Sequence, residues 1–238
     1  MSTVKAVLTG HSRGLGAAIA AELAQRGIPV LALARKRGAE MPGVTQVALD
    51  LSDTAALSAW LRDGALQAFL AGADTALLIN NAGMLQPVGP LPGQAPDEVA
   101  RAISLNVAAP LMLAAAVAAT DVAERRVLHV SSGAGRNAYP GWAVYCASKA
   151  ALDHHARAVA LDQTAGLRIV SLAPGVIDTD MQAQIRATDV AHFPLRAQFQ
   201  ALKANGALSS PAECGRRLLD FALSPGFGAA AVADLRDF

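Results

Sequence analysis

TGHSRGLG, residues 9–16, decides how this chain is read. It follows the apolar run VKAVLT and opens a helical candidate over residues 14–26. Gly10, Gly14 and Gly16 allow a tight turn, and with no side chains in the way they let backbone N–H groups and a helix N-terminus approach a pyrophosphate. The spacing is G-x-x-x-G-x-G rather than G-x-G-x-x-G, and no Gly-Lys-Ser/Thr follows, so the loop is not a P-loop. A glycine-rich strand–helix turn without a ligand has the same composition. The remainder of the chain has to separate the two.

Working outward, short apolar runs alternate with helical ones from end to end. VKAVLT, PVLALA, VTQVAL, TALLIN, RVLHVS, LRIVSLA and AAAVADL read as seven strands, nearly continuous in apolar residues as strands buried on both faces should be. Helical candidates cover 14–26, 54–70, 96–119, 144–164 and 211–223. This alternation predicts an α/β fold, a Rossmann-type doubly wound parallel sheet of about seven strands with helices on both faces. No repeat or linker interrupts it, so residues 1–238 are taken as a single domain. KRGAEMPGV, between the second and third strands, is too short for a crossover helix. The long segment 179–210, with Met181, Phe193 and Phe199, is expected to form a lid on the substrate side.

Composition narrows the function classes. Apolar residues make up 53% of the 238 and charged residues 16%, which excludes disorder and requires a large core. Aromatics are only 4%, so that core is aliphatic and alanine-rich. A net charge of +1 with no basic stripe gives no reason to expect nucleic acid or an acidic membrane as partner. Cys146 and Cys214 form no C-x-x-C motif and suit a reducing compartment. His154 and His155 read as exposed helix histidines, and no metal site is expected. The opening MSTVKAVLTG does not read as a signal peptide, and the apolar run 107–119 contains Pro110 and is too short to span a bilayer. A soluble, cytoplasmic protein is expected.

The second strand bears on the choice of dinucleotide. A fold that prefers NAD usually ends this strand in an acidic residue that holds the ribose hydroxyls. Here the strand runs PVLALARKR: Ala34 takes that place and Arg35 follows. A carboxylate would repel a 2′-phosphate, whereas an arginine can grip one with two hydrogen bonds. Arg13, inside the glycine loop, could reach the same phosphate. NADP(H) is the expected cofactor, against the alternative of a solvated basic turn.

Further on, WAVYCASKAAL, residues 142–152, sets Tyr145 and Lys149 four residues apart on one helical face. Y-x-x-x-K alone also fits the polar face of a surface helix. Together with the glycine loop, NNAG at 80–83, Asn106, SSGAG at 131–135 and PGVIDTDM at 174–181, all in order, the sequence resembles the short-chain dehydrogenases/reductases over essentially its whole length. Within them, GWAVYCASKAA, APGVIDTDMQ and LKANG look most like sepiapterin reductases and bacterial benzil (dicarbonyl) reductases.

That resemblance implies roles. Tyr145 is the general acid that protonates a substrate carbonyl as hydride arrives from the nicotinamide. A free phenol has a pKa near 10; the charges of Lys149 and of the nicotinamide are together expected to lower it, and Lys149 also to bind the nicotinamide ribose. The family's serine lies 13 residues before the tyrosine, which selects Ser132 as the carbonyl-binding hydroxyl and leaves Ser131 structural. Asn106 is expected to hold a water that links Lys149 to solvent. The cofactor cradle takes in Gly10, Ser12, Arg13, Gly14, Leu15 and Gly16 of the loop, then Arg35. Asp50 and Leu51 follow the third strand, with Asp50 on the adenine amino group or, alternatively, capping a helix. Asn80, Ala82 and Gly83 line the adenosine side. Pro174, Gly175 and the backbone of Ile177 flank the nicotinamide, beside Tyr145 and Lys149, with Thr179 bonding the carboxamide or the pyrophosphate.

The substrate side is expected to comprise Ser132, Trp142, Tyr145 and Met181, with Phe193 and Phe199 as further walls. Asp234, in AVADLRDF, matches by position the aspartate that anchors a pterin in sepiapterin reductases, although an ordinary pairing with Arg236 fits it equally. The expected activity is NADPH-dependent reduction of a small-molecule carbonyl, a vicinal dicarbonyl of sepiapterin-like or aromatic diketone type. An NADP-dependent alcohol or hydroxysteroid dehydrogenase is the alternative, and a non-catalytic NADP-sensing protein a remote one. The alanine-rich helices 96–119 and 144–164 are expected to pack between subunits of a homodimer or homotetramer.

Overall fold

The computed structural model describes residues 3–238. Seven strands form one parallel sheet: β1 (Val4–Thr9), β2 (Val30–Ala34), β3 (Val44–Ala48), β4 (Thr75–Asn80), β5 (Glu124–Val130), β6 (Leu167–Ala173) and β7 (Val232–Asp234). Their order is β3-β2-β1-β4-β5-β6-β7, parallel at every pair. The chain runs outward from β1 to β3 and then returns to place β4 on the other side of β1. This reversal opens a crevice at the carboxyl ends of β1 and β4. The loop TGHSRGLG leaves β1 there, and NNAG leaves β4 beside it.

Both faces of the sheet are covered, and alternate residues of each strand serve opposite layers. Ala6 and Leu8 of β1, with Leu77 and Ile79 of β4, pack under α1 (Gly14–Gln25) and α9 (Pro211–Leu223), whose Ile19, Leu23, Leu218 and Leu219 are fully buried. Val7, Ala76 and Leu78 face the other way, toward α2 (Thr54–Arg62), α3 (Ala65–Leu70), α5 (Ala109–Ala118) and α6 (Ala143–Leu161). Central β2 and β4 are buried at every position, which explains their unbroken apolar runs; edge strand β3 has only half-buried and exposed positions. Each completely buried leucine contributes roughly 1.5–3 kcal/mol relative to an exposed one.

Local chemistry breaks two of the expected helices. Residues 54–70 divide at Gly64, whose φ of 85° no side chain adopts readily; Asp63 accepts from the N–H of Ala65 and starts α3. Residues 96–119 divide into α4 (Pro96–Ile103), a π-turn over Ser104–Ala108, and α5. Pro110 has no N–H for the carbonyl of Asn106, so the regular ladder cannot pass this point. By length and hydropathy Pro96–Ala118 could cross a membrane. Ala102, Asn106, Leu113 and Val117 are instead buried in the body of the protein, as the sequence predicts for this run.

The last strand is shorter than AAAVADL, and α6 ends at Leu161, before Gln163 takes a φ of 49°. Segment 179–210 is not simply loop. It carries α7 (Asp180–Ala187) and α8 (Arg196–Ala204), and a single parallel bridge, Ile177 to Ser209, closes its base. His155 also differs from expectation: it is half-buried and hydrogen-bonded at 3.1 Å to His129, whereas His154 is exposed.

Candidate active site

Sterics fix the glycine loop. A Cβ on Gly16 would stand 2.0 Å from the carbonyl oxygen of Gly10, so only glycine fits there, and Gly10 and Gly14 have φ of 72° and 55°. Thr179, capping the start of α7, lies over the loop; a Cβ on Gly14 would meet its methyl at 3.4 Å. The first turn of α1 has no side-chain cap, which leaves its N–H groups to face the crevice. These features fit a dinucleotide pyrophosphate: backbone donors, a helix N-terminus and no side chain between them.

Two motif residues to which the sequence assigns no role of their own, Thr9 and Asn81, hold this loop against β4. Asn81 donates through Nδ2 to the carbonyls of Thr9 and Gly10, and Thr9 Oγ1 accepts from the N–H groups of Asn81 and Ala82. Asn80, the neighbour expected on the adenosine side, turns its amide inward to Pro110 O and His129 Nδ1 and is 2% exposed. Strand parity could have revealed this, since Asn80 shares the face of Ala76 and Leu78, which meet α5.

Other cradle residues have mixed surroundings. The side chain of Leu15 joins the core, leaving its backbone to the loop. Arg13, exposed, lies 3.5 Å from Asp180 of α7. Arg35 is exposed just past β2. At Asp50 burial works to raise the carboxyl pKa, but hydrogen bonds from Ser52 and the charges of Arg35 and Arg101 outweigh it and hold the pKa lowered. Asp50 does not cap α2; Asp53 does, accepting from Ala55 and Ala56. Gly175 has a φ of 85°, and a Cβ there would approach Arg236 Cγ at 3.8 Å.

Beyond β4 and β5 the side chains of the expected catalytic set converge. Tyr145 and Lys149 are 8% and 5% exposed, one turn apart on the buried face of α6. Lys149 Nζ donates to Val130 O at 2.8 Å. A Cβ on Gly83 would stand 3.4 Å from Asn106 Oδ1 and 3.7 Å from Lys149 Nζ, so glycine keeps this wall open. Asn106 sits in the π-turn, where its amide bonds both backbone groups of Met84 and donates to Ser148 Oγ. Ser132 opens a short 3₁₀ turn, accepting from Ala134 N; Ser131 instead donates to buried Asp153.

Burial pushes the Tyr145 phenol up to about 12, against the opposing effect of the Ser132 hydroxyl. Burial also pulls Lys149 down to about 8, with Asp153 acting the other way. The lowered phenol pKa expected from Lys149 and the nicotinamide together is thus not produced by Lys149 alone. Lys149 lies 5.7 Å from the Tyr145 ring centroid, and desolvation wins. A protonated phenol beside a readily titrated ammonium is suited to giving a proton and having it replaced.

The expected pocket walls also meet. Trp142 stacks on Phe193 at 4.5 Å, approaches Phe199 at 5.4 Å and meets the edge of Tyr145 at 5.6 Å. Met181 packs on the same cluster. Asp234 is taken by arginines: Arg236 donates from Nε, NH2 and its backbone N–H, and Arg136 lies 3.7 Å away. Among the described residues no three His, Cys, Asp or Glu side chains group as metal ligands.

Sheet order, glycine loop and the Tyr145–Lys149 face together define a nicotinamide-dependent oxidoreductase class. Residues 4–190 match the short chain dehydrogenase family, and the chain belongs to it. Its relatives include a benzil reductase ((S)-benzoin forming) of Bacillus cereus, 32% identical over 90% of this chain and 93% of that protein. A sepiapterin reductase of Xenopus laevis is 35% identical over 92% of this chain and 90% of the relative. The crystal structure of a short-chain dehydrogenase/reductase from Burkholderia vietnamiensis is 49% identical, covers 99% of this chain and 98% of its own, and superposes with a TM-score of 0.71.

Proposed function

We propose that this oxidoreductase is a soluble, cytoplasmic NADPH-dependent reductase of vicinal dicarbonyls, most readily those bearing aromatic rings. The seat of Tyr145 carries this reading: a protonated phenol, flanked by Lys149, beside the Trp142–Phe193–Phe199 cluster, whose half-buried members Phe199 and Met181 are the ones a substrate could meet. An apolar surface of this kind favours apolar, aromatic substrates through burial and edge contacts with Phe199. Among the relatives, the benzil reductase acts by its name on an aromatic 1,2-diketone and the sepiapterin reductase on sepiapterin, a ketone borne on a flat pterin ring.

The residues fit the cofactor, and bound NADPH supplies the hydride that adds to the carbonyl carbon. Ser132 holds the carbonyl oxygen by a hydrogen bond that strengthens as negative charge develops. Tyr145 gives that oxygen its phenolic proton, completing the alcohol. Lys149 returns a proton to the tyrosinate. Asn106, whose carbonyl has lost its ordinary helical partner to Pro110, offers an acceptor for a water leading from Lys149 to solvent. Ala34 and Arg35 at the end of β2 support NADPH over NADH, since no carboxylate there opposes a 2′-phosphate. The half-exposed apolar positions of α4 and α5, with Ile103 at 38% exposure, support assembly as a homodimer or homotetramer. The test is oxidation of NADPH and of NADH against benzil, other 1,2-dicarbonyls, sepiapterin and simple ketones. Faster turnover of simple secondary alcohols with NADP⁺ than of any dicarbonyl would favour the dehydrogenase reading instead.

A further inference from the structure

We propose that Asp153 is a positioning residue for this reduction, fixing the turn that carries Ser132 and backing the ammonium of Lys149. The proposal rests on the reading of Tyr145 and Lys149 as the proton-delivering pair. Asp153 is 1% exposed and follows Lys149 by one helical turn on the same face of α6. An isolated carboxylate this deep would be strongly disfavoured. It is instead fully engaged: Oδ1 accepts from Ser131 Oγ and Ser171 Oγ, both at 2.7 Å, and Oδ2 from Arg136 Nε at 3.3 Å.

Those partners bracket the catalytic serine. Ser131 precedes Ser132 at the end of β5, and Arg136 closes the 3₁₀ turn that Ser132 begins. Both ends of the turn are therefore tied to one carboxylate, which Ser171 of β6 also holds. Arg136 continues the tie to β7 by donating to Ala233 O at 2.8 Å and lying 3.7 Å from Asp234. The fit is tight, since a Cβ on Gly135 would stand 3.0 Å from both Asp153 Oδ2 and Lys149 O.

The second half of the proposal concerns charge. The groups facing Lys149 are the Val130 carbonyl, which accepts from Nζ, the Asn106 amide, the protonated Tyr145 and, from β5, the neutral His129. Asp153 is the anion that favours the ammonium against the burial opposing it. Around Asp153 itself stand Arg136 and the two serine hydroxyls, with Asp234 beyond Arg136.

The test compares Asp153→Asn with Ser171→Ala in NADPH-dependent benzil reduction, with Tyr145→Phe as control. Asp153→Asn keeps an oxygen acceptor for the serines but loses the charge. The alkaline limb of its kcat profile is expected about one pH unit lower, with kcat near neutrality down about tenfold and the NADPH KM within about twofold of the parent. Ser171→Ala keeps the charge and loses one donor, so kcat should fall a few fold while the limb stays in place. A folded Asp153→Asn enzyme with the parent's kcat and limb overturns the proposal. So does one that loses thermal stability and activity together with the limb unmoved, since that is a structural role only. Should Asp153→Asn not fold, an unchanged kcat in Ser171→Ala overturns it. A fully active Tyr145→Phe would instead defeat the underlying reading of the acid.

Discussion

The guanidinium of Arg236 closes on the carboxylate of Asp234, with Nε 2.8 Å from Oδ1 and NH2 2.7 Å from Oδ2. Both oxygens are taken by a two-pronged pair, and its hydrogen bonds, foremost, hold the Asp234 pKa lowered. Sequence position suggests this aspartate as an anchor for an amine-bearing substrate; in the fold the anchor is already occupied. The Arg236 side chain is 69% exposed, so the pair can open at modest cost. Arg236→Ala should therefore raise kcat/KM for sepiapterin by about tenfold, the worth of one freed charge-assisted contact, and leave benzil nearly unchanged. Steady-state rates on the two substrates decide it. A parallel response of both would mean that Asp234 faces no substrate.

Tyr145→Phe removes the transferable proton and keeps the ring that meets Trp142. Turnover should fall by roughly 10²–10⁴. NADPH binding, followed by the cofactor's fluorescence, should persist. Ser132→Ala should lose about 10²–10³ through the missing hydrogen bond to the developing oxyanion. Near-parental turnover in the tyrosine variant would remove it from the chemistry.

The proposed preference for NADPH rests on Ala34 and Arg35, with Arg13 as a second candidate that in this structure faces Asp180. A charge-assisted phosphate contact contributes roughly 1.5–3 kcal/mol, or about one to two decades in affinity. Arg35→Ala should raise the KM for NADPH by about that factor and leave NADH alone. Initial rates with both cofactors check this, and an equal effect on the two would place Arg35 away from the 2′-phosphate.

The sheet is legible in the sequence because parallel strands buried on both faces leave unbroken apolar runs, as in TALLIN and VLALA. The glycine loop is legible because Gly16 has no room for a side chain. What escapes is set by tertiary contact or by a single residue inside a long pattern. Gly64 and Pro110 each break a run whose apolar periodicity otherwise reads as one helix. Asp153 looks like an ordinary polar residue until α6 brings it to Ser131 and Ser171, and nothing in NNAG says which of its two asparagines turns to Thr9. Burial explains the Tyr145 phenol in the same way, since no sequence pattern states how deeply a side chain will be desolvated.

A last prediction concerns acid. Asn80 Nδ2 lies 3.1 Å from His129 Nδ1, and His129 Nε2 lies 3.1 Å from His155 Nδ1. An amide nitrogen only donates, so His129 Nδ1 accepts, its Nε2 carries the proton, and His155 Nδ1 accepts in turn. The chain of bonds requires a neutral His129. Burial foremost, then the neighbouring His155 and Lys149, lowers its pKa from 6.5 to about 3. The unfolded chain thus takes up a proton below 6.5 that the folded protein refuses until about 3, and stability should fall as pH drops through that window. His155, also lowered by burial, acts in the same direction. The lowered carboxylates, Asp50 and Asp234, start from 3.8 and weaken the fold only toward the acid end, so the upper part of the window reports the histidines. Urea midpoints measured from neutrality down to about pH 4.5 should decline, with a slope of up to about 1.4 kcal/mol per pH unit for one such group. His129→Gln, which cannot titrate, should lose that part of the slope even if it is less stable at neutrality. Identical slopes in the two proteins would mean that folded His129 takes up its proton as readily as the unfolded chain does, and that its Nδ1 does not accept from Asn80.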